Sequence, residues 1–356
     1  GYGLKLKQRR LYELDPASRG QLIHEVLAEV GDLVRERGLS WPVIDEQTAA
    51  ALVDEALEKH LPQLLAGILR SSARYQYLAR RIRNTLIFAV LMLAEHTRAG
   101  EFIPVAWELP FGSGEPGSLP AFRIELGQGR ALELSGRIDR VDMALDTEQN
   151  KAYFRVVDYK SGALNLKPED IYAGLRLQLL LYLQVVLANA GLFSAAEPLA
   201  AGLYYSRVSD NLTPGPRSGA EKRSGLQLSG LTVRDERAIR LADREISGKS
   251  RLIPAGLSQK GIHVLPAGLS SEQLQALQER VYTVLRDTAE QLFAGMIHVS
   301  PLRDLGFDAC EFCEFAAVCG FDRELVQPRR KERASQAGAS QDEPEEADEK
   351  GRGCYD

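Results

Sequence analysis

The apolar positions of this chain recur first with a helical period and then with a strand period. After Asp15-Pro-Ala-Ser18, a helix-start signal, Gly20-Gln-Leu-Ile-His24-Glu-Val-Leu-Ala-Glu-Val30 carries apolar residues at helical spacing. Gly38-Leu-Ser-Trp-Pro42 breaks that helix. Two more are predicted over about 44–68 and 72–98, the second rich in Arg and Tyr at 74–83 and apolar over Leu86–Leu93. The period then shortens. Ile103–Leu109 reads as a strand, Phe111–Pro120 as a Gly/Pro/Ser loop, and strands follow at about 121–126, 131–145 and 152–160, with Asp146–Lys151 as a polar hairpin connection. Pro168-Glu-Asp170 opens a helix predicted to reach about 190. A strand at Leu199–Tyr205, a mobile loop over 207–230 and a helical patch at 234–247 come next. A Gly/Pro-rich stretch to 269 precedes a strong helix over about 270–295 that starts at Ser-Ser-Glu. Residues 1–15 are basic and read as extended or loosely helical. There is no internal repeat.

Composition changes this picture in three places. The chain has 356 residues, enough to bury a large core as one big domain or two, and 44% hydrophobic with 26% charged residues is a globular balance. No apolar run approaches a membrane span and the basic start has no apolar h-region, so a membrane is not expected and the cytoplasm is. The net charge of −5 excludes a simple basic DNA-coating protein, so nucleic-acid binding needs a local basic groove. Residues 327–356 hold no Leu, Ile, Val, Phe or Trp and are read as a disordered, charged tail.

The candidate chemistry centres on two neighbouring strands. Asp139 lies in Gly136-Arg137-Ile138-Asp139-Arg140, and Asp158 and Lys160 lie in Val157-Asp158-Tyr159-Lys160. Alternation along a strand puts Asp158 and Lys160 on one face and Tyr159 on the other. Two carboxylates and an ammonium at the ends of adjacent strands can hold Mg²⁺ and activate a water. A salt-bridged hairpin on a sheet surface is the plain alternative. His24 sits on a helix one turn after Gly20, and Gln178 and Tyr182 share a helix face four residues apart. His60, His96, His263 and His298 have no such company and are read as surface or structural. Arg137 and Arg140 flank Asp139 and could contact phosphates or serve as solvated charges. Cys310-x-x-Cys313-x5-Cys319 has metal-ligand spacing, for zinc or an iron–sulfur cluster, and composition does not choose between them. No Gly-x-x-x-x-Gly-Lys-[Ser/Thr] loop is present, so this chain carries no ATPase motif.

The order Gly-x-x-x-His, Gly-x-x-Asp, Asp-Tyr-Lys, Gln-x-x-x-Tyr resembles the RecB-like branch of the PD-(D/E)XK nucleases. Gly1-Tyr-Gly-Leu, Gly20-x-x-x-His24-Glu25, Gly136-Arg-Ile-Asp-Arg-Val-Asp142, Val157–Gly162, Leu175–Tyr182 and the cysteine run look like the C-terminal nuclease half of the AddB type, from Gly1 to about Arg323. The resemblance implies an α/β restriction-endonuclease-like core, a mixed central sheet flanked by helices, over 101–326. A helical N-terminal part over 1–100 carries His24, and the C-terminal segment of 101–326 carries the Cys cluster. It implies a Mg²⁺-dependent DNA exonuclease working with a helicase partner of AddA type in double-strand break resection and recombinational repair. It adds His24 and the Tyr159 carbonyl to Asp139 and Asp158 as metal ligands. Lys160 then orients or deprotonates the attacking water or stabilises developing charge, while Gln178 and Tyr182 position the phosphate. It also implies a [4Fe–4S] cluster on Cys310, Cys313 and Cys319 with a fourth Cys upstream of the segment matching Gly1. The chain begins with Gly and is expected to be a fragment or a processed chain; Cys354 matches no family position, so either the fourth ligand belongs to a longer parent chain or this chain binds the cluster poorly or not at all. Two rival readings are a DNA-binding assembly module of a helicase complex and a stand-alone CRISPR-associated-type iron–sulfur exonuclease.

Overall fold

The computed structural model describes residues 16–64, 73–162, 166–208, 226–258, 261–264, 268–304, 307–311 and 313–321. The expectations for residues 1–15, for most of the 207–230 loop and for the tail fall outside these residues. Three helices come first: α1 (Pro16–Glu36), α2 (Glu46–Leu64) and α3 (Ala73–Ala99). Their apolar stripes meet in one cluster that includes Leu22, Val26, Val30, Leu52, Val53, Leu86 and Val90, and Tyr159 of the sheet closes it. None of the described helices is long and apolar enough to cross a membrane.

The chain then builds a mixed six-stranded sheet. Its strands are β1 (Ile103–Phe111), β4 (Gly136–Asp146), β5 (Lys151–Lys160), β6 (Glu197–Arg207), β7 (Ser229–Val233) and the short Gly268–Leu269, neighbours in that order. β1, β4 and β5 are antiparallel, β5 and β6 parallel, and β6 and β7 antiparallel. β5 is central and nearly every residue of it is buried, as a strand covered on both faces must be. Its Phe154 and Val156 face a core built with α5 (Gln178–Ala188) and α7 (Ser271–Phe293), and its Tyr153 and Val157 face α6 (Glu236–Ala242). α7 starts on a capping box between Ser270 and Gln273.

Two predicted elements are divided. The strand expected over 131–145 breaks at Ser135 into β3 (Arg130–Leu134), which pairs only with β2 (Phe122–Gly127), and β4. The helix expected from Pro168 to about 190 is α4 (Pro168–Tyr172), a turn, and α5. Gly174 at φ +79° and Arg176 at φ +54° leave the helical region there.

The helical layer lies close to β1. A Cβ on Gly31 of α1 would stand 2.3 Å from Trp107 Nε1, so only a glycine lets the helix rest on that indole. This contact brings the N-terminal half of α1, with His24, down to the ends of the sheet strands.

Candidate active site

Three adjacent strands end at one place. The β1–β4 register pairs Trp107 with Arg140 and Leu109 with Ile138, which sets Glu108 opposite Asp139. One step beyond the Arg140–Val157 pair of β4 and β5 come Asp139 and Asp158. Tyr159 N donates to Asp139 Oδ2 at 2.8 Å. From α1, His24 Nδ1 lies 3.2 Å from Glu108 Oε1 and 3.4 Å from Asp139 Oδ2, and its Nε2 is 3.3 Å from the Tyr159 carbonyl oxygen. Lys160 Nζ lies 2.6 Å from Asp158 Oδ2. A cleft of about 640 Å³ opens over these groups, with Gly20, His24, Glu108, Arg137 and Lys160 among its lining.

The electrostatics of this cluster are those of a site short of positive charge. Burial penalises the charged Asp158 carboxylate, and the neighbouring Asp139 adds to the penalty. Together they outweigh Lys160 and push its pKa up to about 6. Asp158 is 1% exposed, and its Oδ1 finds no hydrogen-bond partner among the described residues. Such an orphaned buried carboxylate oxygen costs free energy unless a cation meets it. Burial alone would lower the His24 pKa. Hydrogen bonds to Asp139 and Glu108 win, and it rises to about 10. The imidazole is thus doubly protonated, donating from Nδ1 to the carboxylates and from Nε2 to the carbonyl.

His24, Glu108 and Asp139 offer ligand atoms within 4.8 Å of one another, the one such triple among the described residues. With Asp158 and the Tyr159 carbonyl beside them, the donors are carboxylate and carbonyl oxygens plus one imidazole. That set fits a hard divalent cation such as Mg²⁺.

Glu108 escaped the sequence reading. It stands as a lone acid in the apolar run Ile103-Pro-Val-Ala-Trp107-Glu108-Leu109-Pro110, and a charge inside an otherwise apolar strand was the available signal. Its φ of +41° is rare for a residue with a side chain and costs roughly 1–3 kcal/mol. Strain of this kind persists where the surroundings hold a side chain in a required direction.

The other expected residues fall out as follows. Gln178 opens α5, and its Nε2 donates to the Tyr182 hydroxyl at 2.7 Å. Tyr182 packs edge-on to Phe111 at 5.8 Å. Its pKa is raised, by burial first and then, against its bond to Gln178, by the field of Asp139, Asp158 and Glu108. Arg137 is exposed at the cleft wall, 3.5 Å from Glu115.

Arg140 does not face the cleft. It shares the opposite face of β4 with Asp142 and is 3% exposed. Its Nη1 donates to the Tyr159 hydroxyl at 2.7 Å, and its Nε lies 2.8 Å from Asp142 Oδ1. Arg155 Nε donates to the other Asp142 oxygen at 2.8 Å. No phosphate reaches Arg140 there. Reading it as a companion of Asp139 ignored the alternation of the strand. Buried beside this cluster, His96 donates from Nε2 to the Leu226 carbonyl at 2.7 Å. Burial and then Arg155 push its pKa down to about 3, a structural neutral histidine as expected.

The cysteine run is less closed. Cys310 is half-buried and Cys313 and Cys319 are exposed, and none of the three is in a disulfide. Phe315, between Cys313 and Cys319, is 59% exposed. The three thiols are not among the described groups gathered to ligand distance. As they stand they do not fit a four-thiolate cluster.

Comparison with known proteins agrees with the geometry. A profile of the PD-(D/E)XK nuclease superfamily matches residues 1–320. The chain is similar to proteins named as the B-type component of an ATP-dependent helicase/deoxyribonuclease. That of Clostridium novyi is 35% identical over 327 residues, 90% of this chain and 28% of that protein. That of Pelotomaculum thermopropionicum is 36% identical over 329 residues, again 90% and 28%. That of Desulforudis audaxviator is 37% identical over 345 residues, 95% and 29%. The chain thus spans under a third of the length of these relatives.

Proposed function

The chain belongs to the PD-(D/E)XK nuclease superfamily, and from that premise we propose that it is the Mg²⁺-dependent deoxyribonuclease module of the AddB-type component of a helicase–nuclease. The observation that carries this reading is Asp158, a buried carboxylate with an unpartnered oxygen, set beside Lys160 and facing the triple of His24, Glu108 and Asp139. A fold tolerates that arrangement where function uses it.

His24, Glu108, Asp139, Asp158 and the Tyr159 carbonyl would hold the cation, which would supply a water of lowered pKa and a counter-charge for the phosphoryl group. The chain's own residues do the rest. Lys160, on the same face of β5 as Asp158, orients the attacking water and offers positive charge where the phosphorane oxygens become more negative. Arg137 at the cleft wall engages a phosphate of the strand in exchange for its contact with Glu115. Gln178 fixes the Tyr182 hydroxyl, which positions the scissile phosphate. Attack of the water oxygen on phosphorus forms the new P–O bond as the bond to the leaving oxygen breaks; the water gives up one proton and the leaving oxygen takes up one.

The substrate in this reading is a DNA strand degraded from its end, unwound by an ATP-hydrolysing partner of the AddA type during double-strand break resection and recombinational repair in the cytoplasm. Support comes from relatives whose names join helicase to deoxyribonuclease. A [4Fe–4S] cluster on Cys310, Cys313 and Cys319 belongs to the same reading only with a fourth ligand from outside these three, and no catalytic step depends on it.

Asp158→Ala and Lys160→Ala are each expected to lower DNA degradation in Mg²⁺ by three orders of magnitude or more, on the order of 4 kcal/mol of barrier, with the melting transition retained. Degradation at the unaltered rate in both variants overturns the proposal.

A further inference from the structure

One stretch is unused by the catalytic set. Between Glu58 and Glu95 the sequence has no acidic residue, yet it carries Arg70, Arg74, Arg80, Arg81 and Arg83. In a chain of net charge −5 this is a local reversal of sign.

The described part of the stretch is the N-terminal half of α3. Tyr77 is 57% exposed there. The Arg81 guanidinium lies 5.7 Å over its centroid. Arg80, also exposed, folds back to the Gln76 carbonyl. Tyr77, Arg80 and Arg81 stand at i, i+3 and i+4, on one helix face. Arg83 is committed elsewhere, with its Nη2 donating to Asp54 at 2.7 Å.

The fold places this face. Arg98 Nε donates to the Pro42 carbonyl at 3.0 Å, so α3 ends beside the segment that follows α1, and both helices start at the opposite end. β1 leaves from the Arg98 end and returns to Glu108. Tyr77 is 21 residues before Arg98, about 30 Å along the helix. Ile103 to Glu108 covers about 17 Å of strand. His24, in the N-terminal half of α1, stands at Glu108 and Asp139, so the Tyr77 face, at the same end of the helical layer, lies toward the cleft.

We infer that this face of α3 is a track for single-stranded DNA on its way into the cleft, with a base stacked on Tyr77 and phosphates on Arg80 and Arg81. The inference rests on the nuclease reading. An exposed aromatic ring offers stacking to an unpaired base, which a duplex keeps inside its own stack. The planar guanidinium forks match phosphate oxygens.

The test is fluorescence anisotropy of a labelled oligothymidylate with the whole chain in chelator, where no cleavage occurs. Tyr77→Ala is expected to weaken binding about tenfold, and Tyr77→Phe, which keeps the ring, by less than about twofold. The pair Arg80→Ala with Arg81→Ala is expected to reduce the slope of log affinity against log salt by about 1.4, roughly 0.7 per phosphate. Melting temperatures of all variants report that the fold is intact. Unchanged affinity and slope overturn the track while the cleavage of the unaltered chain in Mg²⁺ leaves the nuclease reading standing. A duplex that loses as much affinity on Tyr77→Ala overturns the single-strand assignment. A chain that neither binds nor cleaves overturns both.

Discussion

Two acid clusters sit back to back on β4 and β5, separated by one layer of backbone. On one face Asp142 lies between Arg140 and Arg155, all three fully buried, and these cations outweigh burial to hold its pKa below the usual carboxylate range. On the other face Glu108, Asp139 and Asp158 share one lysine and one histidine, and Asp158 is pushed up to about 6. The same strands supply both clusters. The first is neutralised from within the chain and reads as architecture. The second leaves Asp158 under-compensated, which costs stability until a cation arrives.

The sharpest way to break this contrast is to remove one acid from each face. Asp142→Asn strips two buried guanidinium groups of their partner and is expected to cost about 3–5 kcal/mol in urea unfolding. Asp158→Asn in chelator is expected to do the reverse and stabilise, by about 1–2 kcal/mol at pH 7.5, after discounting for its coupling to Lys160. The direction follows from its raised folded pKa. The metal-free fold binds the proton more tightly than the unfolded chain does, so stability falls as pH rises through the range from about 4 to 6. A lower melting temperature for Asp158→Asn at that pH would count against the under-compensated site.

The smallest expected effect concerns His24. With a pKa near 10 it is protonated at neutral pH, and a cation at its ring nitrogen must displace that proton. Calorimetry of Mg²⁺ binding in buffers of different ionisation heat is expected to show about one proton released per site at pH 8, and affinity rising as pH approaches 10. His24→Ala should abolish the release. Equal heats in all buffers for the unaltered chain would place His24 outside the ligand set.

Much of this arrangement can be read from period and spacing. Alternation alone sets Asp158 and Lys160 on one face of β5 and sends the Tyr159 ring into the helical layer, where it stacks on Trp107 at 6.5 Å. Applied consistently, the same rule turns Arg140 away from Asp139. Gly174 marks the end of α4, but the apolar period of the following leucines runs across it and hides the break. Glu108 is harder. It acts at a positive φ, a backbone state that no residue pattern of β1 announces, and its partners are 84 residues upstream and 31 downstream in the chain.

The Tyr159 carbonyl has a property none of its companions shares. Any amino acid at position 159 would present the same oxygen to the cleft, so the donor itself cannot be lost by substitution. What the tyrosine secures is its direction, through the Arg140 hydrogen bond, the indole stack and the edge contact with the His24 ring at 5.7 Å. Position 159 would therefore look like a core residue in any survey of side-chain replacements: damage there would arrive as a tilted peptide plane, felt first as weakened cation affinity.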